Sequence, residues 1–425
     1  MTLPEPQSTQ GAGEPLLALR WHHLSARYTQ VRQATMQLAA PLSDEDCQVQ
    51  SMPDASPTKW HLAHVTWFFE TFVLERHERD FQSFDARFRV LFNSYYEGVG
   101  EQHPRAQRGL VTRPDLATVK AYRAQVDQRM QALMANAAAD ARFDADLHAL
   151  ITLGLHHEQQ HQELLLTDIQ HLLWMGSRGA VEAEAGAYSR VPPSKITQAQ
   201  PLSWSAHAGG LVDVGHDPAL DGDFFFDNET PRHRVWLDAF EIASRQVNQG
   251  EFLAFMNDGG YRRPELWLSM GWAWVNGGGT PRNSPLYWQM RDGVWFSHTL
   301  HGTQPIDVQA PACHLSYFEA DAYARWAGAR LPTEAEWEHA ARQPDAPSMP
   351  GEVWEWTQSN YNAYPGYQPL PGAVGEYNGK FMCNQFVLRG GSCATPAGHI
   401  RASYRNFFPP DAQWQFSGLR LARTA

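Results

Sequence analysis

Asp144-Ala-Asp-Leu-His-Ala-Leu150-Ile-Thr-Leu-Gly-Leu-His-His-Glu-Gln-Gln160-His-Gln-Glu-Leu-Leu-Leu-Thr-Asp-Ile-Gln170-His-Leu-Leu-Trp174 reads as one long helix. Leu147, Leu150, Ile151, Leu164, Leu165, Ile169 and Leu172 form its inward apolar face. Into that face the chain sets His156-His157-Glu158-Gln159-Gln160-His161. His157 and His161 stand four residues apart, so they project from one side of the helix about a turn apart. One buried histidine is ordinarily a hydrogen-bonded core residue. Two neutral imidazoles converging on a buried face need a shared partner, and a metal ion is the partner expected here. His156 lies off the stripe and is expected to back the site or to face solvent.

Three further amphipathic stretches precede this helix. Leu17, Trp21, Leu24, Tyr28 and Val31 mark the first, and Val119, Val126, Met130 and Leu133 mark another. Between them Ser56-Pro57 signals a helix start, and Trp60, His64, Trp67, Thr71 and Leu74 share one face of the helix it opens. Four such helices predict a bundle over residues 16–175, behind a disordered tail of 1–15. The third metal ligand should come from a neighbouring helix. His64 lies on the stripe with Trp60 and Trp67, whereas His61 is displaced from it, so His64 is assigned. Three neutral histidines leave an octahedral ion three open positions, which suits Fe(II) holding substrates and O₂ together. Zinc with three histidines and a water matches the same ligand types.

The texture changes after a linker expected at 176–205: 23 of the 32 glycines and 11 of the 16 tryptophans follow residue 205. Capping boxes at Ser316–Glu319 and Thr333–Glu336 predict two short helices, the first ended by Gly328. Asn378-Gly379 within Gly375–Phe381 suits a hairpin turn. Residues 206–425 therefore read as a loop-rich α+β domain. With 43% apolar residues, 19% charged residues and a formal charge of −12, the 425-residue chain suits packed cores. It lacks the basic runs of a nucleic-acid or anionic-membrane surface and any apolar run of transmembrane length. The N-terminus has no apolar signal segment, so a cytoplasmic protein is expected. Four scattered cysteines with no CxxC exclude a disulfide framework and cysteine-rich zinc sites. Cys383 and Cys393 are expected as buried small apolar residues.

His157-Glu158-Gln159-Gln160-His161 also matches the H-E-x-x-H pattern of zinc peptidases, a short and weak signature. A metzincin would continue with Gly and His where this chain has Leu164 and Thr167.

Ser56-Pro-Thr-Lys-Trp-His-Leu-Ala-His64, followed by His157-Glu-Gln-Gln-His-Gln-Glu-Leu-Leu-Leu-Thr-Asp168, resembles the ergothioneine-biosynthesis sulfoxide synthases (EgtB-type). The resemblance covers nearly the whole chain. It implies a DinB-like four-helix bundle followed by a sulfatase-modifying-factor domain of C-type-lectin-like fold. The second half carries it through Arg330-Leu-Pro-Thr-Glu-Ala-Glu-Trp-Glu338, Gly351-Glu-Val-Trp-Glu-Trp356, Leu388-Arg-Gly-Gly-Ser392 and Ser417-Gly-Leu-Arg-Leu421. The formylglycine-generating relatives of that domain use a late cysteine pair, which Ser403–Pro410 lacks here.

What the resemblance implies is a non-haem Fe(II) enzyme held by His64, His157 and His161. It would use O₂ to join a thiol sulfur to C2 of the hercynine imidazole, giving a sulfoxide. Gln160 matches the residue that contacts that imidazole. Asn406, Phe407 and Phe408 match the segment lying over hercynine, whose quaternary ammonium is best held by aromatic faces. Tyr404 and Phe416 are assigned to the core. Tyr95 and Tyr96 resemble the proton-donating tyrosine pair of one subgroup, with Tyr95 favoured; another subgroup supplies its tyrosine from the second domain. Arg105 and Arg108 resemble a pair that grips thiol-substrate carboxylates. Residues 95–100 resemble the subgroup using free cysteine, with γ-glutamylcysteine and a selenosugar (selenoneine synthases) as alternative donors.

Overall fold

The computed structural model describes residues 13–139, 145–177, 188, 201–344, 346 and 351–425. The chain divides into two compact units, with the boundary between His161 and Gln162. Most of the expected tail and linker lies outside the described residues. Within those stretches, the first helix already begins at Gly13, and a strand begins at Trp204.

The first unit is built on α1 (Gly13–Ala39), α2 (Thr58–Phe68), α3 (Leu116–Ala139) and the N-terminal half of α4 (Ala145–Ser177). Trp21, Leu24, Tyr28 and Val31 are buried as their spacing requires. On α3 the buried row is Val119, Tyr122, Val126, Met130 and Met134, while Leu133 is only half-buried. Ser56 does not cap α2. Thr58 begins the helix after Pro57, and the Ser56 hydroxyl accepts from Arg108 Nη1 at 2.9 Å.

Helix α2 departs most from its expected one-sided burial. Every residue from Ala55 to Glu70 is buried, so the helix runs through the unit's interior rather than along its edge. Most of the buried polar side chains there find partners, the Trp67 indole N–H being an exception. Lys59 donates to Val111 O and Pro114 O at 2.7 and 2.9 Å, and Glu70 accepts from Tyr122 Oη at 2.6 Å. A π-helical segment, Phe69–Leu74, continues α2 and turns Glu70, Phe72, Val73 and Leu74 into the core together.

Among the described residues the second unit contains four small sheets. Strands β1 (Trp204–His207), β4 (Phe240–Ala243) and β12 (Ala422–Thr424) form one, with β4 central. Another has the order β10 (Asn406–Phe408), β9 (Phe386–Arg389), β8 (Trp354–Asn360), β11 (Ser417–Leu419); only its β8–β11 pair is parallel. Strands β2 (Gly210–Val214) and β3 (His233–Leu237) pair with each other, and β5 (Trp288–Arg291), β6 (Val294–Thr299) and β7 (Gly302–Pro305) make a meander. Both predicted capping boxes are present, at the starts of α5 (Tyr317–Trp326) and α6 (Glu334–Ala341). Gly328 follows the first with φ +66°, the left-handed turn that favours glycine. The fold class is α+β, helical first and sheet-bearing second. No helix among the described residues is long and apolar enough to cross a membrane.

The four motifs of this unit are bound to one another. Arg420 and Glu355, both fully buried, make two bonds of 2.8 and 2.9 Å. Glu355 also accepts from Trp337 Nε1 at 2.6 Å and Gln246 Nε2 at 2.8 Å. Arg389 lies 3.0 Å from Glu334 and 3.1 Å from Glu338. Arg330 and Glu336 pair through two 2.7 Å bonds.

Two expectations fail here. Residues 375–381 are not a hairpin but part of two 3₁₀ turns, Ala373–Glu376 and Gly379–Phe381. Asn378 has φ −120°, outside the left-handed region a type I′ turn needs, because its buried amide donates to Asp227 at 2.6 Å and draws the segment inward. Cys383 is exposed and Cys393 half-buried, since both sit in turns rather than in strand interiors.

Arg420→Met should lower the unfolding free energy by about 3–5 kcal/mol, because Glu355 would be left charged in the core. Urea unfolding followed by tryptophan fluorescence measures it.

Candidate metal centre

Helices α2 and α4 bring His64, His157 and His161 together. One ring nitrogen from each lies within 4.8 Å of the others, and His64 Nε2 is 3.2 Å from His157 Nε2. His64 Nδ1 sits 2.7 Å from Phe92 O, so Nδ1 carries the proton and Nε2 keeps the lone pair that a metal requires. Burial, then neighbouring cationic and imidazole groups, pushes His64 and His161 well below the ordinary histidine value. Burial likewise takes His157 down to about 3. All three rings are thus neutral across the physiological range. The donor set, three convergent imidazoles with no carboxylate or thiolate, fits a first-row divalent ion.

His61 is not remote from this centre. Its Nδ1 is 2.9 Å from His161 Nδ1, which makes it the outer partner orienting that ligand. His156 is buried, not exposed, with Nε2 2.7 Å from Arg27 Nη2.

Glu158 settles the H-E-x-x-H question geometrically. It is fully buried, and its oxygens accept from Arg32 Nη1 at 2.9 Å, Thr35 Oγ1 at 2.6 Å and Arg123 Nη2. A peptidase base must reach a metal-bound water, whereas this carboxylate is held by side chains of α1 and α3.

The remaining first-unit candidates sit in unequal surroundings. Tyr96 is fully buried, with the Trp67 and Phe72 ring centroids 5.6 and 5.0 Å away, and Tyr95 is half-buried and stacked on it at 4.7 Å. Their loop is shaped by Asn93, which the sequence reading missed. Its amide donates to Tyr96 O and Gly100 O, both at 3.1 Å, and accepts from Tyr96 N at 3.0 Å. An Asn just before a turn is the signal that could have found it. Gln160 is half-buried. Arg105 and Arg108 do not form a matched pair. Arg105 is exposed and donates to Asp54 O at 2.5 Å, whereas Arg108 is buried with its guanidinium carbon 3.4 Å from the Trp60 ring centroid. Such a contact is worth about 2 kcal/mol when desolvated.

In the second unit Asn406, Phe407 and Phe408 form β10, and all are half-buried. Phe407 stacks on Tyr361 at 4.0 Å and 10°, and Phe408 meets Trp414 edge-on at 6.0 Å. Tyr404 and Phe416 are buried core residues. Glu163, another residue missed in the sequence, accepts from Ser392 Oγ at 2.5 Å, Trp354 Nε1 at 2.6 Å and Thr395 Oγ1 at 3.0 Å.

This architecture defines a class. Residues 27–165 match the DinB superfamily, and residues 198–347 and 345–425 match the sulfatase-modifying factor enzyme 1-like domain. The hercynine oxygenase of Mycolicibacterium thermoresistibile is 31% identical to this chain over 94% of each. That of Mycobacterium tuberculosis is 30% identical over 94% of this chain and 98% of its own. Ergothioneine biosynthesis protein 1 of Schizosaccharomyces pombe is 26% identical over 56% of this chain and 34% of its own. The chain belongs to the hercynine oxygenase family.

Burial would raise the Glu158 carboxyl, but Arg123, Arg32 and the Thr35 hydroxyl together outweigh it and hold the group down to about 2. Its unfolded value is about 4.3. A carboxyl depressed on folding contributes stability in full above the unfolded value and loses it as pH falls towards the folded one. Stability should therefore drop between about pH 5 and pH 2. In Glu158→Gln that drop should be smaller, with a loss of about 3 kcal/mol at pH 7 from the uncompensated arginines. Urea midpoints across the pH series give both quantities.

Proposed function

We propose that this protein is an Fe(II)- and O₂-dependent sulfoxide synthase that joins the sulfur of cysteine to C2 of the hercynine imidazole. The observation that carries the reading is the cluster of three convergent imidazoles in a chain of this family. The overall reaction balances: the C2 hydrogen, the thiol hydrogen and one oxygen atom leave as water, and the other oxygen remains on sulfur. His64, His157 and His161 would hold Fe(II), which would supply the one-electron chemistry that O₂ requires.

The chain's own residues do the rest. Arg108, with Arg105 as the outer member of the notional pair, offers its guanidinium to the thiol substrate's carboxylate, and Gln160 orients the hercynine ring. Asn406, Phe407 and Phe408 hold the trimethylammonium group on aromatic faces. Tyr95 delivers a proton to the reduced oxygen. Its partial exposure favours it over the fully buried Tyr96, whose ring packs against Trp67 and Phe72.

Protein reconstituted anaerobically with Fe(II), then given O₂, hercynine and either cysteine, γ-glutamylcysteine or a selenosugar, tests the reaction and the donor. Mass analysis should show the cysteine-derived sulfoxide as the preferred product. A preference for another donor would overturn the donor assignment. Peptidase activity restored by zinc would overturn the reading itself. His64→Ala, His157→Ala and His161→Ala should each lose iron, measured by metal analysis, while the fold persists. Tyr95→Phe should shift product from C–S coupling towards oxidised thiol; an unchanged ratio would remove Tyr95 from the proton step.

A further inference from the structure

One continuous stack of rings runs through the metal centre. Arg108 lies over Trp60 at 3.4 Å; Trp60 stacks on His64 at 4.6 Å and 11°; His64 stacks on Trp67 at 5.6 Å and 17°. Trp60 is 2% exposed, its Nε1 donates to Leu91 O at 3.2 Å, and its ring centroid is 6.3 Å from that of His161.

A metal-binding histidine ordinarily needs two things, a lone pair on one nitrogen and a partner on the other, and His64 has both without Trp60. What the two indoles add is restraint of ring rotation: with a wall on each face, the imidazole plane cannot turn about its Cβ–Cγ bond. The other face of Trp60 carries the Arg108 guanidinium, whose fork is fixed by Ser56 Oγ at 2.9 Å. Its chain segment is held as well, since Gln48 Nε2 donates to Gly109 O at 2.7 Å, Gly109 N donates to Gln50 Oε1 at 2.8 Å, and Lys59 Nζ donates to Val111 O at 2.7 Å. A guanidinium so placed cannot follow a displaced indole.

We propose that Trp60 is a positioning residue that sets both the plane of the His64 metal ligand and the platform of the Arg108 guanidinium, and so determines where an anionic thiol substrate stands relative to the metal. The second half of this statement rests on the function proposed above; the first does not.

The test compares Trp60→Leu, which removes the wall, with Trp60→Phe, which keeps an aromatic face. Co(II) replaces iron as a spectroscopic probe. Trp60→Leu should bind Co(II) about tenfold more weakly, the low end for loss of a group supporting a metal ligand, and should show a shifted visible spectrum. With Fe(II), its KM for cysteine should rise about tenfold while the KM for hercynine changes less than twofold, a split that general loosening would not produce. Trp60→Phe should recover most of both effects. Arg108→Ala should raise the cysteine KM and leave the Co(II) spectrum unchanged. A wild-type Co(II) spectrum and affinity in Trp60→Leu, or equal rises in both KM values, would overturn the proposal. If Trp60→Leu does not fold, Trp60→Met takes its place, and a wild-type Co(II) spectrum and affinity there would overturn the proposal. If wild-type protein fails to couple cysteine to hercynine, the proposed function falls while the Co(II) measurements still judge the role of Trp60.

Discussion

Eight consecutive polar side chains, His156 to Glu163, stand buried or half-buried along one helix, and the surrounding structure depends on satisfying them. Each buried polar group left without a partner would cost about 1–3 kcal/mol, and charged ones more. The partners come from every direction: Arg27 for His156, Arg32, Thr35 and Arg123 for Glu158, and Trp354, Ser392 and Thr395 for Glu163. His157 and His161 converge on His64, where a metal ion is the partner their chemistry suits. A helix of this composition is stable only where its neighbours are already specified. The same residues therefore define the bundle's packing and its site.

The motifs of the second unit follow the same logic with a different result. Their carboxylates and guanidiniums look like chemistry in the sequence, yet they are one another's partners: Glu355 with Arg420, Glu336 with Arg330, Glu334 and Glu338 with Arg389. In a unit of small sheets and many turns, little continuous strand pairing holds the chain, and buried bidentate pairs supply directional constraints that apolar contacts do not. Such pairs are weak evidence for net stability, because desolvating the charges costs about as much as pairing them returns. Their value here lies in geometry: Glu355–Arg420 and Glu334–Arg389 join segments far apart in the chain, whereas Arg330–Glu336 fixes the start of α6 locally.

Periodicity and capping were readable directly. The α1 stripe, the two capping boxes and the convergence of the i,i+4 histidines all follow from local spacing, and all appear where expected. Local spacing failed where a distant partner intervened. Asp227 draws Asn378 inward and replaces a hairpin with 3₁₀ turns. Ser56 looked like a cap but receives Arg108 instead. His61, displaced from the stripe on a helical wheel, still reaches His161, because α2 is enclosed on all sides and every face of it meets a neighbour.

The sequence by itself determined the class of protein, the helix that carries the site and the identity of the three converging histidines, because helical geometry places residues four apart on one face whatever surrounds them. Only the tertiary structure decided which polar groups act as supports: Asn93 under the tyrosine loop, Trp60 between Arg108 and His64, and Arg32 with Arg123 around Glu158. It also separated Arg105 from Arg108, one exposed and one buried, which their spacing had made look equivalent. These contacts join side chains tens of residues apart, and no local period in a sequence records which distant side chain will meet which.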